Sequence, residues 1–480
     1  LVFEDLHWID SESQALLDSL AEGLPAEAVL LLVNYRPEYH DAWGSKTYYT
    51  RLEIDPLPPE NAEELLTDLV GQDGTLEPLK SVLIERTEGN PFFLEESVRT
   101  LVETKVLVGD RGAYRITKMP ETWQIPATAQ AILAARIDRL PPEDKRLLQA
   151  ASVIGKDVPF TLLQAIAGVP VNSLSEGLGR LEAAEFLYET SLFPDLEYTF
   201  KHSLTHEVAY GSLLQERRRE LHARIVEAIE VLYSDRLAEE VERLAHHAFR
   251  GEVWEKAVTY LRQAGAKALA RSAYREAVTC FDQALVALRP LPETRQKVER
   301  AIDLRLDLRQ SLFPFNELAM IWGYLREAEE LAKTLDDPRR LGWVSAYMSG
   351  HYLHTGSHVT EVRASAERVE AIAECLGDAP LRIAAQYYLA AAFYLSGDYR
   401  GTEHACGKLM HMVHNNPARE RPRGVPRSHG SGLPRARPRR TRCVRGGRSS
   451  RTRGYPDSRG IRSPLECRLG MSRVRVSQER

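Results

Sequence analysis

The feature that most limits what this chain can fold into is a repeat. Leu335, followed by Asp336-Asp337-Pro338, returns 41 residues later as Leu376, followed by Gly377-Asp378-Ala379-Pro380. Gly356 returns as Gly397 at the same offset. Further back, Ala257, Leu261 and Ala264 recur as Ala277, Phe281 and Ala284, the small–large–small spacing by which paired helices pack closely. Such helix pairs cannot bury an apolar face alone and must stack on their neighbours. Residues 236–416 are therefore expected to form an α-solenoid.

Ala264-Gly265 and Pro290 fit a tetratricopeptide-like unit within it. Upstream, residues 126–235 read as a compact, mostly helical domain. Leu140-Pro141-Pro142-Glu143-Asp144 starts a helix, with proline in the first turn and acids at the positive end of the dipole. Short β-prone runs at Phe186–Thr190 and Tyr198–Phe200 would add a small hairpin, giving a winged-helix-like domain. Residues 58–125 carry three helical stretches, beginning at Pro59-Glu60-Asn61, near Leu76–Glu88, and after Pro91. Residues 1–57 differ. An apolar strand, Leu1–Phe3, leads through a helix with Leu16, Leu17 and Leu20 to a continuously apolar run, Ala28–Val33. Uninterrupted apolar strands joined by a helix predict a parallel sheet buried on both faces.

The net charge of −5 averages two different pieces. From Pro417 onward, 19 Arg, no Lys and four acids give +15, which leaves 44 basic and 64 acidic residues, or −20, for the body. An acidic body argues against a nucleic-acid-binding core. Residues 417–480, rich in Arg, Pro, Gly and Ser and without periodicity, cannot bury a core and read as disordered. An RNA-binding arm, a linker and a frameshift are the three readings of this tail. The frameshift is favoured, because GC-rich coding DNA read out of frame yields these residues while avoiding Lys. Back-translating Ser431–Gly447 one nucleotide out of frame permits RAYLARALAERGVFEEG, the amphipathic helix a next repeat needs. Five cysteines (Cys280, Cys375, Cys406, Cys443, Cys467) without a C-x-x-C indicate neither a disulfide framework nor a zinc site. No apolar stretch reaches membrane-spanning length, and a cytoplasmic location is expected.

The chemistry concentrates at the N-terminus. Glu4 and Asp5 follow a strand, the Walker B arrangement in which one carboxylate holds Mg²⁺ and the other polarises water. A plain strand–helix turn, whose acids cap the next helix, is the competing reading. The second strand ends in Asn34-Tyr35-Arg36, so Asn34 and Arg36 would reach the same crevice at the carboxyl edge of the sheet. There either could sense a γ-phosphate or its attacking water, although Arg36 would serve equally as a solvated loop cation. No G-x-x-x-x-G-K-[ST] occurs in the 480 residues. Gly44-Ser45-Lys46-Thr47 lacks the spacing and the order of a P-loop and reads as a surface loop.

LVFEDLHWID, LLLVNYRPEY and EGNPFFLEE together resemble the Walker B, sensor 1 and Gly-x-Pro lid motifs of STAND-type AAA ATPases. More narrowly, they resemble the ATPase modules of bacterial multidomain regulators in which a class III adenylate or guanylate cyclase often precedes the ATPase and tetratricopeptide repeats follow it. The resemblance runs from Leu1 to about Arg423 and includes Phe200-Lys201-His202-Ser203-Leu204. It implies a fold class: the C-terminal part of a P-loop ATPase core at 1–57, a helical lid at 58–125, the winged-helix-like domain and the repeats. It implies ATP and Mg²⁺ as cofactors of the parent protein. Glu4 and Asp5 would be the metal-associated and water-polarising acids, in either order. Arg36 would be the sensor, and Gly89 and Pro91 would open the lid helix near adenine. From the residues alone, Gly89-Asn90-Pro91 reads as a helix stop followed by a helix start. The family's phosphate loop would lie before Leu1, and without it this chain alone is expected to bind ATP poorly and to be inactive.

Other candidates favour packing. His202 and His206, at i,i+4, could present two metal ligands but lack a third. His246-His247 diverge on a helix and read as surface or capping residues, and Arg217-Arg218-Arg219 as a solvated face. Tyr387-Tyr388, Phe393 and Tyr394 read as helix-packing aromatics. The function expected is a signal-transduction ATPase whose repeats bind a protein or small-molecule effector, away from membrane and nucleic acid. The alternative is a non-catalytic repeat scaffold with a vestigial nucleotide site. A third reading, a transcription regulator, would require a DNA-binding helix-turn-helix beyond the solenoid, and the tail shows none.

Overall fold

The computed structural model describes residues 1–40, 43–117, 128–191, 196–356 and 359–415. The tail from 417, Cys443, Cys467 and the domain boundary at Pro126 lie outside the described residues. The chain divides into two compact units, Leu1–Arg340 and Leu341–Arg480.

The first unit opens with β1 (Val2–Phe3) and, after helix α1 (Ser11–Gly23), β2 (Leu32–Val33). The two strands pair in parallel, with Val2 opposite Leu32 and Phe3 opposite Val33. The expectation of a sheet buried on both faces is corrected here. Leu17 and Ala21 of α1 form a small core with Leu6 and Trp43, and Leu31 and Val33 pack against it. On the opposite face Val2 is 63%, Leu30 80% and Leu32 55% exposed. Only Leu32–Val33 of the Ala28–Val33 run is strand, because one neighbouring strand and one helix supply partners for one face alone.

Three helices follow: α2 (Pro59–Val70), α3 (Glu77–Thr87) and α4 (Pro91–Glu103). Their apolar faces close a second core, to which the ribbon β3 (Leu107–Val108) and β4 (Arg115–Ile116) adds Leu107. Helix α5 (Ala129–Arg139) leads into α6 (Pro142–Ile154), β5 (Asp157–Pro159), α7 (Phe160–Ala167), α8 (Val171–Ala183), β6 (Leu187–Ser191) and β7 (Glu197–Phe200). The three strands form an antiparallel sheet in the order β5-β7-β6. Phe186, Leu187, Tyr198 and Phe200 bury their side chains against α6, α7 and α8.

The rest is helical: α9 (Ser203–Gly211), α10 (Gln215–Leu232), α11 (Val241–Arg250), α12 (Trp254–Ala270), α13 (Tyr274–Leu288), α14 (Arg295–Leu312) and α15 (Leu318–Leu335). The expected small–large–small seam is present. Ala257, Leu261, Ala264, Ala277, Phe281 and Ala284 are all at most 2% exposed. Gly265 is the point of closest approach, since a Cβ there would lie 2.5 Å from the Phe281 ring.

Helix α16 (Pro338–Thr355) runs into the second unit, followed by α17 (Val359–Leu376), α18 (Ala379–Leu395) and α19 (Tyr399–Asn415). The 41-residue repeat has a backbone cause. Asp336 (φ 51°) and Gly377 (φ 64°) both leave their helices in the left-handed conformation, as do Gly356 (φ 69°) and Gly397 (φ 79°). One residue on from the first pair, Asp337 and Asp378 cap the next helix by accepting from the backbone N–H of Arg340 and Leu381. In the second unit Gly342 and Gly350 let Leu381 and Tyr388 approach the α16 backbone. Among the described residues no helix is long and apolar enough to cross a membrane.

Candidate functional site

The two strand ends bring three of the expected residues together. Parallel pairing sets Phe3 beside Val33, so Glu4-Asp5 and Asn34 leave the sheet at the same edge. Asn34 then fastens the crossing. Its N–H donates to the Phe3 carbonyl (3.1 Å), its carbonyl accepts from Leu6 N–H (3.0 Å), and its Oδ1 accepts from Asp5 N–H (2.6 Å). Asp5 takes a left-handed conformation (φ 57°, ψ 42°) and starts a 3₁₀ turn, Leu6–Trp8. Glu4, Asp5, Asn34 and Arg36 are all exposed. Arg36 lies two residues beyond Asn34, where its carbonyl accepts from Tyr39 N–H in a turn.

Two exposed carboxylates at a fixed strand end are hard oxygen donors. They suit Mg²⁺, which keeps several waters and takes few protein ligands. Among the described residues no group of three or more His, Cys, Asp or Glu side chains is arranged to hold a metal ion. A cleft of about 330 Å³ opens beside Leu6 and His7, lined also by Ile9, Gln14, Asp18, Tyr39 and His40. Its wall is a polar network that sequence reading missed. Asp18 accepts from Gln14 Nε2 and from Trp43 Nε1, both at 2.8 Å, and Gln14 Oε1 accepts from Tyr39 OH. The i,i+4 spacing of Gln14 and Asp18 was the available signal.

Gly89 and Pro91 form a different local structure. Glu88 (φ 50°) and Gly89 (φ 74°) both turn left-handed at the end of α3. Asn90 caps α4 by accepting from Phe93 N–H at 3.0 Å, and Pro91 occupies the first turn. Gly89 is buried against the incoming chain. Its carbonyl accepts from Leu57 N–H (2.9 Å), and a Cβ at 89 would overlap the Leu57 carbonyl. Helix stop, helix start and a backbone crossing account for each of these residues. Their described hydrogen bonds run to Leu57, Thr87, Phe93 and Leu94 rather than to the strand ends.

His206 Nε2 donates to the Ser152 carbonyl (2.9 Å) and the ring sits edge-on to Phe200, a packing role. Burial lowers its pKa. The surface reading of His246-His247 is half corrected. His246 is exposed, but His247 is buried and its Nδ1 lies 2.8 Å from Nδ1 of His222 on α10. Adjacent residues diverge by about 100°, and α10 covers one of the two directions. Burial first, then neighbouring positive groups, holds His222 down to about 4 and His247 down to about 2. Arg217, Arg218 and Arg219 are engaged with Glu220, with the Gly211 carbonyl and the Tyr210 ring, and with Glu252 respectively.

No protein-family model matches the chain. An uncharacterized protein of Rhizobium meliloti (strain 1021) is 28% identical over 296 residues, which is 59% of this chain and 27% of that protein. The chain thus spans about a quarter of the curated relative it matches. Among solved structures, BtubC (BKLC) from P. vanneervenii matches 51% of this chain and 92% of its own at 15% identity and TM-score 0.33. A Signal Transduction ATPase with Numerous Domains (STAND) protein with a tetratricopeptide repeat sensor, from Pyrococcus horikoshii, matches 86% of this chain and 68% of its own at 14% identity and TM-score 0.33. Likeness at this level assigns neither a family nor a function.

Proposed function

We propose that this chain is part of a STAND-type signal-transduction ATPase whose nucleotide state is coupled to effector or partner binding by tetratricopeptide-like repeats. The observation that carries the reading is the Asn34 Oδ1 bond to Asp5 N–H at the end of a parallel strand pair. It holds two acids beside a polar residue at the carboxyl edge, where open α/β sheets take ligands. In this reading Glu4 and Asp5 serve Mg²⁺ and water, Asn34 and Arg36 sense the terminal phosphate, and Gly89 and Pro91 set the lid. The domain of α6–α8 and β5–β7, in the order helix, strand, helix, helix, strand, strand, serves as the winged-helix-like element. A nucleotide cyclase as output belongs to the proposal for the parent protein.

The test is titration with a fluorescent ATP analogue. Binding is expected to be weak, since the sequence has no G-x-x-x-x-G-K-[ST], to strengthen with Mg²⁺, and to be lost in Asp5→Asn and Arg36→Ala while circular dichroism stays unchanged. The capping and crossing roles that account for Gly89, Asn90 and Pro91 favour a second reading, a repeat scaffold without nucleotide chemistry. Absence of any Mg²⁺-dependent binding at millimolar nucleotide would support that scaffold.

A further inference from the structure

We propose that α2–α4, α5 and the three-stranded domain form one mechanical body, bolted by Arg136, and that the joint for motion in this part of the chain is the segment 50–56. The inference goes beyond the nucleotide reading and does not depend on it.

Helix α5 belongs to two cores at once. Ile132 is buried with the apolar faces of α2–α4, and Ile137, five residues on, is buried with α6–α8 and the sheet. Arg136 lies between them, 2% exposed. Its guanidinium is paired with Glu96 of α4, donates from Nε to Glu103 Oε1 (2.8 Å), donates from Nη2 to the Ala184 carbonyl (2.9 Å), and covers the Phe186 ring. A rigid planar fork that satisfies three acceptors from α4 and from the end of α8 fixes their mutual orientation, which a single flexible ammonium could not do.

Helix α4 supplies a whole stripe to this contact. Phe92, Glu96, Arg99 and Glu103 recur at i, i+4, i+7 and i+11, one face of the helix. Phe92 meets the His202 ring at 4.5 Å, and Arg99 Nη2 pairs with Glu185 at 2.5 Å. Glu185 in turn pairs with Lys201. A displacement of α4 is therefore delivered to the turn after α8 and to the end of β7.

Among the described residues the other side of α2 shows no such fastening. The core of Leu6, Leu17, Ala21 and Trp43 shares no residue with the core of α2–α4. Between them residues 50–56 have no regular structure, with Leu52 81% and Ile54 97% exposed. Here Arg51 and Glu53 form an exposed ion pair, Arg51 lies 6.0 Å over the Tyr35 ring, and the first firm anchor after the segment is the Leu57–Gly89 backbone bond. Exposed backbone with few apolar contacts is where a chain opens most readily.

Spin-label distance measurements on the full chain, its five native cysteines replaced by serine, test this without nucleotide. Glu85→Cys with Ser175→Cys reports within the body, and Ser19→Cys with Glu85→Cys reports across the joint. The distribution across the joint is expected to be at least about twofold broader than the one within the body. Equal widths, or a broader distribution within the body, would overturn the assignment. Arg136→Met is expected to broaden the internal pair alone, and an unchanged internal width would remove Arg136 from its role. Should that variant not fold, Arg136→Lys, which keeps the charge and loses the fork, is expected to broaden it less, and the unsubstituted comparison still decides where the joint lies.

Discussion

Asp5 and Gly89 show how differently two candidate residues are held. Asp5 sits exposed in the left-handed region, which Asn and Asp tolerate and other side chains enter at a cost of roughly 1–2 kcal/mol. Asp5→Asn is therefore expected to leave the unfolding free energy from urea titration within about 0.5 kcal/mol of the parent, whereas Asp5→Val lowers it by about 1 kcal/mol. Loss of nucleotide binding in Asp5→Asn would then report on chemistry and not on folding. At Gly89 a positive φ coincides with the Leu57 carbonyl in the space a Cβ would fill. Gly89→Ala should cost about 2 kcal/mol or more by the same measurement, and a variant of unchanged stability would show that Leu57 does not cross there. Both residues stood out in the sequence as candidates. The Leu57 crossing was not, because a contact between backbones 32 residues apart leaves no mark on residue type beyond the glycine itself.

Between helices, fit is set by side chains too small to be noticed and by rings whose burial opposes ionisation. Gly265 and Gly323 both lie inside helices, but a Cβ meets the Phe281 ring at the first and nothing within 4 Å at the second. Gly265→Ala is expected to destabilise by about 1–3 kcal/mol through overpacking. Gly323→Ala should stabilise by about 0.5–1 kcal/mol through helix propensity, so thermal melts of the two variants should move in opposite directions. The alanine and glycine spacing made this seam readable in advance. The His222–His247 contact between α10 and α11 was unreadable, since 25 residues and a turn separate the two rings. It makes stability depend on pH. An unfolded histidine takes up a proton near 6.5, whereas His222 in the fold does so only near 4, with Arg218, Arg250 and His246 facing it and Tyr210 OH at its Nε2. The folded state is thus fully favoured above pH 6.5 and loses this contribution as the pH falls toward 4. The urea midpoint should fall over that window, and His222→Phe should flatten the fall. An equally steep fall in the variant would assign the acid sensitivity elsewhere.

At the scale of the whole molecule, what could be read in advance was whatever repeats. Helix ends at Asp336 and Gly377, and at Gly356 and Gly397, recur in the same left-handed conformation, so residue type mirrors backbone. The parallel sheet was half legible. An apolar run implies burial, but it cannot say which element does the burying, and here α1 covers one face only. Val2 and Leu32 are register partners on the open face, and Leu30 extends it, all more than half exposed. Contiguous apolar surface beside strand edges that are unpaired among the described residues favours association between chains, and the net charge of −5 opposes it weakly. Sedimentation velocity should therefore show a weight-average coefficient that rises with protein concentration. Leu30→Lys with Leu32→Lys places two charges on that face, removes little buried area, and should abolish the rise while leaving the melting temperature within a few degrees of the parent. Leu31→Lys, one residue away and pointing into the Leu17–Trp43 core, should instead lower the melting temperature, because a one-residue step along a strand exchanges the two faces. If the double variant associated as strongly as the parent chain, the open face of the sheet would not be the adhesive surface.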